Sequence, residues 1–325
     1  MNLLLEKFIK LPRCIKNDEF EAISLHAGRQ DFLVKGANGE PIFLLHDSST
    51  SKYRPGLNLR YVTTEFQATC AVTTNGTRLI EKFAIISCEA DALELHEMFI
   101  SCVNAAAENL PKLSNTDELQ VFINDLLDIF RSFSEPGKRE ISGLWAELWV
   151  ISNSGDIGKC IKHWHVNRFE SFDFSGKNLC IEIKSTVFSA RIHKFSLSQL
   201  EPPHVGDGFV ISLLLREHSG GVGVLGLARI IEASLPFGSD MRKKLWRLIA
   251  ASLGNDFADA IDVKYDLAYA LKNAMVFRMD EIPSVGPVSN SLVSNVKFSS
   301  DLSGLPQTIS GPAVDIVKNL FLKIS

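Results

Sequence analysis

The sequence predicts an α/β protein with three parts: a β-rich N-terminal stretch closed by helices, a central core built on a mixed sheet flanked by helices, and a mainly helical C-terminal region. Three observations predict it. Period-two alternation punctuated by turn dipeptides runs through residues 1 to about 110. Helical periodicity dominates after about residue 226. Between them, Phe209–Leu215 is a continuous apolar β run, the pattern of a strand covered on both faces.

Composition bounds the rest. With 325 residues the chain is long enough for more than one domain, and 46% hydrophobic with 22% charged residues is ordinary for a globular protein. A net charge of −4 argues against coating nucleic acid through bulk electrostatics but leaves room for a local basic groove. The six cysteines are scattered without a Cys-x-x-Cys, which suits free thiols in a reducing compartment. Glu6, Lys7 and Lys10 interrupt the first apolar stretch, so no signal-peptide core is expected there. No uncharged apolar run reaches membrane-spanning length, and the expected location is the cytoplasm.

In chain order, Gln30–Val34 and Pro41–Leu45 flank a Gly-rich turn and read as a hairpin. Asn58–Thr63, Phe66–Thr73 and Arg78–Ser87 read as strands, the last two joined by Asn75-Gly76, whose residues suit a type I′ turn. A helix is expected over Ala90–Leu110 and another from an Asn115 or Thr116 cap through Phe133. Ser134-Glu135-Pro136-Gly137 is a stop signal and sets the expected boundary between a 1–136 domain and a 137–235 core. A 236–325 region would follow, with helices at Asp240–Leu253, Val263–Asn273 and Ala313–Leu322, and strands at Ala274–Met279 and Asn295–Phe298.

The next helix, Lys138–Asn153, contains GLWAELWVI, with a single charged residue in nine. A helix apolar all round is buried, so Glu147 needs a cation, a hydrogen-bond donor or a proton. Beyond it, ESFDFSGKNLCIEIKST reads as strand, turn, strand. Leu179, Ile181 and Ile183 fall on one face and Cys180, Glu182 and Lys184 on the other. A four-residue turn at Ser175–Asn178 would set Asp173 opposite Cys180 and diagonal to Glu182 on that second face. Two carboxylates and an ammonium would then converge, and a divalent cation is the natural user of such a cluster.

The order helix-carboxylate, strand-Asp, turn, Glu-x-Lys resembles the PD-(D/E)XK nuclease superfamily, and over Lys138–Leu200 more narrowly the PD-(D/E)XK motif proteins of bacterial phage-defence and restriction gene clusters. The motif's usual Pro is Phe172 here. The resemblance implies a restriction-endonuclease-like core and catalytic Glu147, Asp173, Glu182 and Lys184. It implies Mg²⁺, with Mn²⁺ able to substitute, on Asp173, Glu182 and Glu147 and the Ile183 carbonyl. Lys184 would orient water and bind the scissile phosphate. Gln199 is an auxiliary candidate. The implied activity is DNA cleavage in a restriction or anti-phage system, with an ATPase or methyltransferase of that system as partner and homodimerisation as an option. A catalytically silent scaffold and an RNA nuclease are the competing readings.

Between Gly137 and Leu200 nine Lys/Arg face six Asp/Glu, a locally basic segment in an acidic chain. Lys177, Arg191 and Lys194, with Arg242, Lys243 and Lys244 on a later helix, are the candidate DNA contacts. Two other motifs carry less. Gly221-x-Gly223-x-x-Gly226 is expected to be a Gly-rich turn between two strands, because five residues separate it from the apolar strand ending at Leu215. His163-Trp164-His165 would place two imidazoles on one face of a strand, with no neighbouring Cys or His to complete a zinc set.

Overall fold

The computed structural model describes residues 3–14, 19–50, 54–137, 140–166, 171–200, 206–285 and 295–324. The protein is α/β and divides into two compact units, Met1–Lys138 with Pro236–Asp259, and Arg139–Leu235 with Ala260–Ser325.

In the first unit α1 (Leu3–Lys10) precedes β1 (Glu19–Ser24), β2 (Phe32–Lys35), β3 (Pro41–His46), β4 (Val62–Thr74) and β5 (Thr77–Cys88). These five strands close into a barrel in the order β1-β2-β3-β5-β4, the last seam being a parallel pairing of β1 with β4. Its interior is filled by Phe20, Phe32, Val34, Leu44, Val72 and Phe83. Asn75 and Gly76 have φ of 48° and 77°, the left-handed backbone that a two-residue hairpin turn requires. Of the strand expected at 58–63 only Val62 and Thr63 belong to β4, since Asn58 pairs back on Thr63 in an isolated bridge. The strand expected at 66–73 lies within β4, which carries a bulge between Glu65 and Ala68 where Gln67 has φ of 58°. The helices α2 (Leu93–Ala107) and α3 (Thr116–Arg131) follow, α3 opened by a capping box of Asn115 and Glu118.

The second unit starts with α4 (Ile141–Ser152) and α5 (Ile157–His163), then β6 (Phe174–Ser175), β7 (Leu179–Thr186), β8 (Ile192–Ser196), β9 (Asp207–Leu214), β10 (Glu217–Val222) and α6 (Val224–Ala233). Next, α7 (Asp240–Leu253) belongs to the first unit, where it packs against α2 and buries Leu245, Trp246 and Ile249. Residues 236–325, expected as one region, are therefore divided between the units. After α8 (Phe257–Asp262), the second unit gains α9 (Leu267–Asn273), β11 (Met275–Arg278), β12 (Lys297–Asp301) and α10 (Ala313–Lys323).

Its central sheet runs β11-β9-β7-β6, with β7 and β9 parallel and the outer pairs antiparallel, while β8 pairs with β12 in a separate ribbon. Helix α4 packs on β7. The other face of the sheet is covered by a cluster that includes Cys180, Phe195, Val210, Phe277 and Met279. The glycine motif is not a turn between two strands. Gly221 lies within β10, where a Cβ would meet the Tyr265 carbonyl oxygen at 2.4 Å, and Gly223 caps α6 directly. Among the described residues no helix is long and apolar enough to cross a membrane.

Candidate active site

Glu147 is 4% exposed in an α4 whose Leu144–Ile151 segment is wholly buried. Its Oε2 accepts two hydrogen bonds, from Trp164 Nε1 at 2.7 Å and from His165 Nε2 at 2.8 Å. A carboxylate oxygen only accepts, so Nε2 carries the imidazole proton in this arrangement. The backbone makes the approach possible. Trp164 pairs with Phe174 in an isolated antiparallel bridge, and His165, at φ of 43°, donates its own N–H to the Asp173 carbonyl at 3.0 Å. The left-handed residue ends the extended run after α5 and presents the ring to Glu147.

Asp173 is placed by the hairpin, in a register that differs from the expected one. Phe174 pairs with Ile181 and Ser175 with Cys180, while Gly176 N–H bonds to the Leu179 carbonyl. Only Lys177 and Asn178 lie outside the pairing, so the connection is two residues long and Asp173 comes level with Glu182 rather than diagonal to it. The shift is two positions, so the shared face is kept. Asp173 Oδ2 accepts from Ile183 N–H at 2.8 Å, and Oδ1 lies 3.7 Å from His165 Nε2. The carboxylate takes the place on β7 that a carbonyl of a longer β6 would have filled. Residues 167–170, the start of the expected first strand, lie outside the described residues.

On β7, Glu182 and Lys184 share a face two residues apart, and Lys184 Nζ is 2.8 Å from Glu182 Oε1. Gln199, in a short 3-10 turn after β8, donates to the same Oε1 at 2.6 Å and accepts from Lys184 Nζ at 3.3 Å. The ammonium also lies 5.1 Å from the centre of the Phe195 ring. Glu182 is 3% exposed and the Lys184 side chain 17%, so the pair is screened from water on most sides.

Glu147, His165 and Asp173 each offer one ligand-type atom, and those atoms lie within 4.8 Å of one another. Glu182 is not one of these three; level with Asp173 on the neighbouring strand, its Oε1 is engaged with Lys184 and Gln199. Glu147 and Asp173 bring two formal negative charges to one imidazole in a largely buried place, the balance that a divalent cation neutralises, while Glu182 is already paired with Lys184. The donor set therefore fits a metal.

The other candidates fare differently. Lys177 and Lys194 are exposed, on the hairpin tip and on β8. Arg191 is buried: Nη1 donates to Ser212 O at 3.0 Å and Ser212 Oγ at 2.9 Å, and Nη2 donates to the Asn273 carbonyl. It ties β9 to α9 and cannot contact DNA. Arg242, Lys243 and Lys244 lie on α7 in the first unit, where Arg242 pairs with Glu108 at 3.3 Å and Lys243 with Asp125 at 3.7 Å. His163 does not share a strand face with His165. It ends α5 and donates from Nδ1 to Ser175 O at 2.8 Å. His165 is the residue sequence reasoning left outside the site; its signal was adjacency to Trp164 just upstream of the Asp-bearing strand.

A family model described as "Putative PD-(D/E)XK family member, (DUF4420)" matches residues 22–303. The chain belongs to this family. Curated proteins and solved structures gave no match. Membership makes the protein a nuclease-type member of the PD-(D/E)XK group, whose nucleases generally use divalent metals. The match extends well beyond the hairpin and spans most of both units.

Proposed function

We propose that this protein is a Mg²⁺-dependent endodeoxyribonuclease of a bacterial restriction or anti-phage system. The observation that carries the reading is Asp173, fixed by the Ile183 N–H level with Glu182-x-Lys184 while Glu147 reaches the same place from α4. In this reading Glu147, Asp173 and Glu182 hold a divalent cation, whose charge, when bound, offsets that developing on the phosphate and acidifies nearby water. Lys184 orients the attacking water and contacts the scissile phosphate. Gln199, bonded to both Glu182 and Lys184, holds the two side chains in one arrangement and is a positioning residue. Lys177 and Lys194, both exposed in the same unit, are the proposed backbone contacts to DNA. The low overall charge suits a subunit that engages DNA with help from an ATPase or methyltransferase partner, and dimerisation would give double-strand cuts.

The test is cleavage of plasmid and linear DNA by purified protein in Mg²⁺ or Mn²⁺, with RNA offered in parallel. Asp173→Ala and Lys184→Ala are expected to lose at least about 100-fold in rate while keeping their far-UV circular dichroism. Wild-type protein that neither cuts DNA nor binds either metal would instead identify a catalytically silent scaffold, and cleavage restricted to RNA would identify a ribonuclease.

A further inference from the structure

We propose that His165 is itself a metal ligand, so that the cation sits on Glu147 Oε2, Asp173 Oδ1 and His165 Nε2 and the site prefers Mn²⁺ over Mg²⁺. This rests on the metal-nuclease reading above and revises its ligand set, putting His165 in the place given there to Glu182, a nitrogen donor that the Asp–Glu-x-Lys pattern does not contain.

The geometry comes first. His165 Nε2 is 2.8 Å from Glu147 Oε2 and 3.7 Å from Asp173 Oδ1, and all three atoms fall within 4.8 Å. Donors at adjacent corners of an octahedron with bonds near 2.1 Å stand about 3 Å apart and opposite corners about 4 Å, so both separations from His165 Nε2 lie in the range of one coordination sphere. The second argument is how firmly the ring is placed. His165 is bonded through its backbone N–H to the residue that bears the second ligand, its φ of 43° is one a non-glycine residue rarely adopts, and the indole of Trp164 lies 5.6 Å away, centre to centre. The third is division of labour among oxygens. Asp173 Oδ2 is committed to Ile183 N–H and Glu182 Oε1 to Lys184 and Gln199, whereas Glu147 Oε2 and Asp173 Oδ1 are the two oxygens turned toward the imidazole.

Ligation requires the Nε2 lone pair, so the ring then carries its proton on Nδ1, and the cation takes the place of the proton shared with Glu147. Trp164 Nε1 goes on donating to Glu147 Oε2 and orients that carboxylate. An imidazole among the donors shifts preference from Mg²⁺, which favours all-oxygen surroundings, toward Mn²⁺ and Co²⁺.

The experiment uses the full chain, with Mn²⁺ and Mg²⁺ titrations by calorimetry and pulsed electron paramagnetic resonance of the Mn²⁺-loaded protein. Wild type is expected to show coupling to a directly bound ¹⁴N. Loss of a group that only orients a ligand weakens metal binding 10–100-fold, so His165→Ala should weaken Mn²⁺ by at least about tenfold, affect Mg²⁺ less, and abolish the ¹⁴N coupling. His165→Gln, with a neutral oxygen donor, should restore part of the Mg²⁺ affinity without the coupling. Mn²⁺ bound to wild type with no ¹⁴N coupling, or unchanged affinity in His165→Ala, would overturn the assignment; the resonance of wild type decides it even if the variant does not fold. In either case a loss of binding in Asp173→Ala would leave the metal-nuclease reading standing. Asp173→Ala binding both ions like wild type would remove that reading as well, and wild type binding neither ion would overturn both.

Discussion

A carboxylate on a helix that is apolar on every side persists only if something donates to it, and Glu147 has two donors on consecutive residues. Trp164 is fully buried, so its Nε1–H must find an acceptor, and Glu147 Oε2 at 2.7 Å is that acceptor. Trp164→Phe keeps most of the ring volume and removes only the donor. A hydrogen bond to a charged group is worth about 1.5–3 kcal/mol, so the variant should lose roughly that much unfolding free energy, seen as a lower urea midpoint, and cut DNA more slowly than wild type. A wild-type urea midpoint would show that the indole packs without holding Glu147. That Glu147 needed a partner was legible from GLWAELWVI alone. Which partner was not, because the pairing depends on one residue, His165, in a left-handed conformation that no periodicity announces.

At the scale of elements, the alternation of Leu179, Ile181 and Ile183 with Cys180, Glu182 and Lys184 declared β7 and its faces, and the turn residues declared the hairpin. The register was not legible, because Ser175–Asn178 suits both a four-residue turn and the two-residue connection observed, and only the pairing of Phe174 with Ile181 decides between them. A shift of two positions preserves the face, which is why the site residues still share one. Arg191 shows the reverse failure. A cation near a phosphate-seeking motif reads as a DNA contact, but at 6% exposure its guanidinium satisfies Ser212 O, Ser212 Oγ and the Asn273 carbonyl. Arg191→Met should therefore destabilise the second unit by about 2–3 kcal/mol, the cost of stranding buried acceptors. It should leave unchanged the salt dependence of DNA affinity, which Lys194→Ala should make shallower. A shallower salt dependence in Arg191→Met with an unaltered urea midpoint would return Arg191 to the DNA-facing surface.

At the scale of the whole molecule, the sequence placed a stop after Phe133 but gave no sign that α7 belongs with the first unit, since a helix's apolar stripe does not say which neighbour covers it. The two-unit organisation decides how stability must be measured, because the units can unfold in separate steps. Trp145, Trp149 and Trp164 lie in the second unit and Trp246 in the first, so tryptophan fluorescence reports mainly on the unit that carries the site. That unit has a built-in acid sensitivity in His193 on β8. It is 3% exposed, and its Nε2 is 2.8 Å from Ser212 Oγ, which accepts from Arg191 and has its own proton to give to the ring. Burial, then the nearby positive charges of Lys184 and Arg191, pull its pKa from 6.5 down to about 4. Between those two values the unfolded chain takes up a proton that the folded chain refuses, so stability is whole above pH 6.5 and falls as the pH drops toward 4. Over that window the loss is about 3 kcal/mol. His193→Gln keeps an acceptor for the Ser212 hydroxyl and removes the titration. Its unfolding free energy, followed by fluorescence in urea, should change less steeply between pH 6.5 and 4 than that of wild type; Asp301, which Ser303 holds below its usual 3.8, loses its own stabilisation only at and below the acid end of that window. Parallel slopes in the two proteins would mean that the buried imidazole takes up its proton in the folded chain, and that the cations around it do not keep it neutral.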